Sequence, residues 1–359
     1  MDTIDWNARR TAYSGLSGPT YLDTPSCGLL SGPNVERAHR RTTELMERGV
    51  PVFLHWQFEE LEKLKVVVAD TVGGTAEGVF LVPGFSNGLA LLAPLLRGRE
   101  KVLLVRGDYH TLAPPFAANG GTLVWMDPEE NGDIPLERIA AALERERPGI
   151  FAVSHVQWNT GYTLQLAAVA ALCRQYGALF LVDATQSWCV EPIDVAAMGI
   201  DILGSSGYKW PLAGFGNGFL HLAPEVLEEC RMIHPKPAQL LMPGHTDPIA
   251  FLRLKDALED VTALGVGRIA ERVRMLTDHA VQQLEGIGIP VLGGRDAGHR
   301  AGILIIAGDE SRVRYLEGKG IRCMPRGKGV RIGPHWYNTQ ADIDKLVEVL
   351  RTAPGAAAR

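Results

Sequence analysis

Through the middle of the chain, short unbroken apolar runs alternate with longer stretches in which apolar residues recur every three or four positions. The runs lie at 79–82, 102–105, 123–125, 150–154, 179–182 and 200–203, and the amphipathic stretches at 87–96, 136–146 and 166–176. Strands that read as continuous hydrophobic runs are covered on both faces. Their alternation with helices predicts a mostly parallel sheet between helical layers, spanning about 75–222.

The flanks read differently. Residues 1–20 are polar and lack periodicity, which predicts an arm rather than a core element. Asn34 is placed to cap a helix running to about 48, and a second helix is expected at 58–71. Beyond the sheet, the pattern predicts a helix at 224–234, a proline-rich turn segment at 235–248, and a long helical region from 249 to about 285, broken near Gly265-Val266-Gly267. Short β and α pieces follow at 290–292, 302–306, 312–319, 321–324, 329–332 and 339–350. They predict a compact α+β unit, and the tail 353–359 is expected to be disordered. The resulting division is an arm at 1–20, a large domain at 21–245 and a small C-terminal domain at 246–359 that takes in part of the arm.

Composition narrows the class. The chain has 359 residues, 46% of them apolar and 21% charged, enough for one large core and a smaller one. A net charge of −5 without a sustained basic run argues against nucleic acid or an anionic membrane as partner. No apolar run approaches the ~20 residues of a membrane helix, and the polar opening stretch is unlike a signal peptide, so the cytoplasm is the expected compartment. Cys27, Cys173, Cys189, Cys230 and Cys323 are odd in number and widely spaced. They read as reduced thiols, with neither a disulfide nor a metal site expected.

Open parallel sheets bind ligands beyond the carboxyl ends of their strands, so the residues just after each run carry the candidate chemistry. The first run leads into Pro83-Gly84-Phe85-Ser86-Asn87-Gly88, a turn opening a helix whose free amides suit a phosphate. Asp108-Tyr109-His110-Thr111 follows the second, and His155-Val156-Gln157-Trp158-Asn159 the run at 150–154. Asp183 ends the run at 179–182; a carboxylate there is costly unless a cation faces it. Lys209 closes the small-residue turn Gly204-Ser205-Ser206-Gly207-Tyr208, one helix and one strand further on. A lysine so placed can have its pKa lowered by burial and form a Schiff base with a carbonyl.

Asp183-Ala184-Thr185-Gln186-Ser187 followed by Ser205-Ser206-Gly207-Tyr208-Lys209 resembles the DxxQS…SGHK pattern of the class V aminotransferases. These are fold-type-I pyridoxal phosphate (PLP) enzymes that include cysteine desulfurases, kynureninase and isopenicillin N epimerase. The similarity runs from Tyr21-Leu22-Asp23 to Arg331 and Tyr337-Asn338-Thr339, which resemble the family's RxSxxxYNT ending. It implies an α/β architecture: a large domain with a mostly parallel seven-stranded sheet between helices, and a smaller α+β domain.

The resemblance also implies roles. Lys209 would hold PLP as a Schiff base and then act as general base and acid, Asp183 would pair with the ring nitrogen, and Gln186 would bond the phenolic oxygen. Tyr109 stands where the family usually stacks a histidine on the ring, and Tyr208 replaces the histidine of SGHK. Ser86, Asn87, Ser206 and Tyr208 would hold the phosphate. His245 and Thr246 resemble a segment that reaches the neighbouring subunit's phosphate, which implies a homodimer with shared sites. Arg331 matches the arginine that binds the substrate carboxylate. Ser26, His55 and Trp158 are candidates to line the substrate pocket, together with Trp56, His110, Arg326, His335 and Trp336.

For the reaction, a desulfurase carries a nucleophilic cysteine on a loop before the last strand. The corresponding interval, Pro325-Arg326-Gly327-Lys328, has none, and Cys323 lies within an apolar run. Transamination of an amino acid is the expected activity, with β-elimination (C–S lyase) or epimerisation as alternatives that share removal of the Cα proton. A nucleotide-binding oxidoreductase would need GxGxxG after the first strand, and Gly84-Phe85-Ser86-Asn87-Gly88 does not supply it.

Overall fold

The computed structural model describes residues 4–353. The expectation for the tail therefore falls, beyond residue 353, outside the described residues. In chain order the strands are β1 (Thr20–Tyr21), β2 (Val79–Leu81), β3 (Lys101–Val105), β4 (Thr122–Met126), β5 (Ile150–Ser154), β6 (Leu179–Asp183), β7 (Ile202–Ser206) and β8 (Gly218–Leu222). After a helical span come β9 (Val291–Gly293), β10 (Leu304–Ala307), β11 (Ile321–Arg322), β12 (Met324–Arg326) and β13 (Gly329–Ile332).

Seven of them form one sheet in the order β2-β8-β7-β6-β5-β3-β4. All its pairs are parallel except the two that involve β8. Two successive reversals restore direction, so β2 points the same way as β7. The carboxyl ends of β2, β3, β5, β6 and β7 therefore share one edge. Strand order reverses between β3 and β5, which opens a crevice at that edge.

The apolar runs become strands because both their faces are filled. On one face Phe151, Val153, Phe180, Val182 and Leu203 pack with Trp188 and Phe219. On the other, Ala152, Leu181, Ile202 and Leu220 meet Val82, Phe85 and Leu89. Alternate residues of one strand thus enter different cores, the period-2 pattern of a sheet buried on both sides.

A four-stranded antiparallel sheet, β12-β13-β10-β9, carries the smaller core, in which Leu304, Ile306, Val330 and Ile332 pack against Ile343, Leu346 and Leu350 of the last helix. That helix, Gln340–Arg351, starts with a capping box between Thr339 and Asp342. The arm joins this unit: β1 pairs in parallel with β11, and Leu22 is buried in its core. The helix Pro248–Leu264 lies instead with the large core through Phe251, Leu254 and Leu258. The chain passes between the two along Val266–Gly286, whose Ile269 and Val273 face the large core and whose Ala280 and Leu284 face the small one.

Some expectations need correction. Ser31, not Asn34, caps the helix Gly32–Arg48, its side chain accepting from the Asn34 amide at 3.3 Å; the Asn34 side chain donates to the Arg253 carbonyl. Helical backbone runs from Val50 through Val72 rather than starting at 58, because Pro51 sits in the first turn, where its missing N–H costs nothing. The strand expected at 321–324 is two, β11 and β12, in different sheets. All five cysteines are free. No helix of the described residues is long and apolar enough to cross a membrane.

Asp256 is buried between Arg37 at 3.0 Å and Arg41 at 2.5 Å, tying Pro248–Leu264 to Gly32–Arg48. Among the described residues, Asp256→Ala leaves Arg41 without a carboxylate and Arg37 with only Asp260 at 3.8 Å, and a loss of about 2 kcal/mol is expected in denaturant unfolding.

Candidate functional site

The crevice edge encloses a cavity of about 300 Å³ that Lys209, Asp183, Gln186, Tyr109, Tyr208 and Trp158 help to line. Each is delivered by the end of a strand. Ile202–Ser206 runs into a tight turn, and Lys209, only 6% exposed, is carried at its close. Its Nζ lies 5.5 Å from the Tyr109 ring centroid and 5.3 Å from that of Tyr208. Among the described residues no carboxylate stands within ion-pair distance of it. Burial pulls its pKa down to about 8; Asp183 opposes this, and the charges of Arg331 and Arg326 add to it.

Asp183, 4% exposed, ends β6 and accepts the Thr185 amide at 2.8 Å. Burial raises its pKa to about 6 despite that bond and the attraction of Lys209. Burial thus weakens the charged form of both groups at one edge of the sheet. Desolvation, rather than mutual pairing, dominates each.

Gln186 has a fixed orientation. The Trp210 indole N–H can only donate, so the amide oxygen faces it at 2.9 Å, and Nε2 donates to the Pro25 carbonyl at 3.0 Å. One N–H of Nε2 remains for a ligand. Across the cavity, the helix Phe85–Leu92 begins at Gly84 with no side-chain cap. The Phe85 amide donates to Ser206 Oγ at 2.9 Å, and Ser86 Oγ donates to Thr111 Oγ1 at 2.8 Å. A Cβ at Gly84 would stand 3.3 Å from Ser206 Oγ, so the backbone forms part of the cradle wall. Uncapped amides, two serine hydroxyls and the Tyr208 phenol make a donor set suited to a phosphate. With an unpaired amine, a carboxylate and a spare amide N–H, the site fits pyridoxal 5'-phosphate.

Arg331, on β13, is 2% exposed. It donates to Ser26 Oγ at 2.5 Å and the Trp158 carbonyl at 3.1 Å, and lies 3.4 Å from Asp23 Oδ1. Its Nε is buried without a partner, and burial lowers its pKa to about 10. Arg331 does not itself line the cavity but reaches it through Trp158, and a guanidinium with an unused donor there suits an incoming carboxylate.

Two other residues act here without a local signal in the sequence. Asp108 accepts the Tyr109 amide at 2.6 Å, the Ser154 amide at 2.8 Å and Gln157 Nε2 at 3.1 Å, joining the ends of β3 and β5 beneath the Tyr109 ring. Its partners lie up to 49 positions away. Gly28 donates to the Tyr208 carbonyl, and a Cβ there would be 2.0 Å from the Lys209 carbonyl oxygen. No other residue lets the arm come so close.

Several expected pocket residues lie elsewhere. His55 pairs with Glu59 at 3.2 Å in a separate exposed groove, because the helix that carries it faces away from the sheet edge. Trp56 is buried against Phe251. His245 and Thr246 are outside the Lys209 cavity of their own chain, with the His245 ring 4.7 Å from Phe53. His335 is core: Nε2 donates to the Trp210 carbonyl and Nδ1 accepts the Trp336 amide, and burial lowers its pKa to about 3 against the opposing effect of the Trp210 bond. Trp336 is buried beside Trp6 and Tyr13. His110 is exposed and does not line the cavity. Cys323 is buried, its thiol pushed up to about 12.

The family described as Aminotransferase class-V matches residues 38–346. The chain is 25% identical over 359 aligned residues to an uncharacterized aminotransferase of Bacillus subtilis, YcbU, covering 94% of this chain and 95% of that one. It is 28% identical over 407 to isopenicillin N epimerase of Streptomyces clavuligerus, covering 99% and 100%. Among solved structures, C-DES with glycine covalently linked to its PLP cofactor superposes at a TM-score of 0.88 with 19% identity, covering 98% and 100%.

Two outcomes are expected. The neutral fraction of Lys209 grows as pH rises through about 8. PLP uptake by the apo chain, followed by absorption, should therefore accelerate with pH and level off above that value; a flat profile would contradict a depressed lysine. Asp108→Ala strands two backbone amides, and unfolding should show a loss of about 2 kcal/mol together with weaker retention of PLP on dialysis.

Proposed function

Because the chain belongs to the aminotransferase class-V family, with the PLP fold type I and pyridoxal 5'-phosphate as cofactor, we propose that it is an aminotransferase acting on an amino acid, with Lys209 as its acid–base group. The observation that carries this reading is the buried Lys209 amine, without a carboxylate partner, facing a cavity that Asp183 also lines.

When bound, the cofactor supplies the electron sink that makes a substrate Cα–H acidic. The chain's residues do the rest. Lys209 would hold the cofactor through Nζ, and the same Nζ would take up the Cα proton and deliver it to the second carbon that transamination protonates. Asp183, ionised beside a cationic ring nitrogen, keeps that nitrogen protonated. Gln186 offers its spare N–H to the phenolic oxygen, and the Tyr109 ring walls one face. Ser86, Asn87 and Ser206, with Tyr208, hold the phosphate at the helix start. Arg331, steadied by Ser26 and Asp23, receives the substrate carboxylate, and Trp158 closes the side.

A homodimer belongs to the same proposal. His245 and Thr246 are outside their own cavity, and Met46, Val50 and Phe58 expose large apolar surface near them on the Val50–Val72 segment and its approach. A second copy would cover this face and receive His245 and Thr246 at its phosphate.

Transamination needs one proton carrier that serves two carbons, which Lys209 provides. A two-base epimerisation needs a second. Burial moves the Tyr208 hydroxyl further from ionisation, and His155 is buried with its pKa lowered to about 4. The desulfurase reading lacks its thiol, since the β12–β13 turn is Gly327-Lys328 and Cys323 is packed inside.

The purified protein should be yellow, borohydride should bleach it while leaving the cofactor covalently bound to the Lys209 peptide, and an amino-acid panel with an acceptor keto acid should show transfer of the amino group to that acceptor. Lys209→Ala should abolish the covalent cofactor and lower turnover by at least about a thousandfold. Release of ammonia and sulfide with pyruvate, without transfer of the amino group to an acceptor keto acid, or inversion alone, would replace transamination with elimination or epimerisation; turnover surviving in the variant would remove Lys209 as the base.

A further inference from the structure

We propose that the substrate's side chain carries an anionic group and that Arg326 recognises it. This rests on the amino-acid reading above and adds a substrate class to it. In the β12–β13 hairpin, Met324 pairs with Arg331 and Arg326 with Gly329. Side chains alternate along a strand, so Arg326 shares the face of Met324 and hence of Arg331, as its diagonal neighbour.

Both guanidiniums converge on Trp158, a wall of the Lys209 cavity. Arg331 Nη1 holds its carbonyl at 3.1 Å, while Arg326 lies over its indole, 5.6 Å from the ring centroid. The hairpin turn closes on the next residue, since a Cβ at Gly327 would be 2.7 Å from the Asn159 carbonyl oxygen. Arg326 is thereby fixed against Trp158, a lining residue of the cavity, at the diagonal position from the guanidinium proposed to hold the α-carboxylate.

Arg326 has donors to spare. Among the described residues its one side-chain hydrogen bond is from Nη1 to the adjacent Pro325 carbonyl at 2.9 Å, and it has no ion pair. Its Nε is buried without a partner. Stacking on Trp158 explains the plane of the guanidinium but not an unsatisfied buried N–H, which is costly until an acceptor arrives. Its charge is felt at Lys209, at Asp23 and at Arg331, so it adds positive potential on this side of the cavity. A planar two-pronged donor matches the oxygens of a carboxylate, sulfinate or phosphate, and a neutral amide in the same place would meet donors without supplying charge.

The test uses holoenzyme and matched substrates: glutamate against glutamine, and aspartate against asparagine, with cysteine sulfinate and phosphoserine as arms that identify which anion is preferred. Binding is read from the change in cofactor absorption, and turnover from kcat/KM. The acidic member of a pair should be favoured by about tenfold or more, the discrimination one charge-assisted hydrogen bond provides. Arg326→Gln should bring the ratio close to one and Arg326→Lys should leave it between, with cofactor absorption confirming an intact site. No preference in the wild type, or an unchanged ratio in Arg326→Gln, would overturn the proposal. A protein whose cofactor band responds to no amino acid would overturn the amino-acid reading itself, and this one with it; a response without preference overturns this one alone.

Discussion

The organisation of this protein depends on withholding water from two ionisable groups at one sheet edge. Lys209 and Asp183 are both nearly inaccessible, and for each the largest influence on its proton is burial. A lysine in water is a strongly hydrated cation and a poor nucleophile. Placing it between two phenol rings, behind a strand end, moves its proton equilibrium into the range where an enzyme works. The cost is borne by the sheet, whose apolar layers are continuous enough to hold two disfavoured charges in place.

Such a site needs rigid support, and backbone groups supply much of it. Asp108 gathers two amides and a side-chain amide from β3 and β5, the Asp183 carbonyl accepts the His155 amide, and the Ala184 amide reaches Gly204. These bonds tie successive strand ends together directly beneath the cavity. The second layer is as specific: Trp210 sets the Gln186 amide, and Ser26 with Asp23 sets Arg331. Positioning residues of this kind decide geometry without touching a ligand.

Much of this was legible in sequence where signals are local. The runs at 150–154 and 179–182 stand out because a strand buried on both faces has no polar alternation to dilute it. Asp183 and Lys209 stand out because a carboxylate and a lysine at the ends of buried strands are costly unless something compensates them. By contrast β8, Gly-Phe-Leu-His-Leu, carries a buried histidine that breaks the apolar run; His221 belongs there because its Nε2 accepts the Thr75 amide. Asp108 looked like one acid in a turn, since its partners lie on a strand dozens of residues away. Histidines misled in the other direction: His55 and His335 announce polarity, yet one pairs with a glutamate on an exposed face and the other satisfies two backbone groups in the core.

The attachment of the arm has a consequence for how the chain is made. β1 has β11 as its partner, Leu22 fills the small core, Arg10 bonds Asp342, and the Asn338 side chain reaches the Tyr21 carbonyl. This segment therefore completes a unit whose other parts are synthesised about three hundred residues after it. Until then β1 has no partner edge and Leu22 no pocket, while the large sheet between them already holds its local βα pairings. Closing that loop of about three hundred residues is the step expected to be slow, and a nascent chain is most exposed to misassociation just before it.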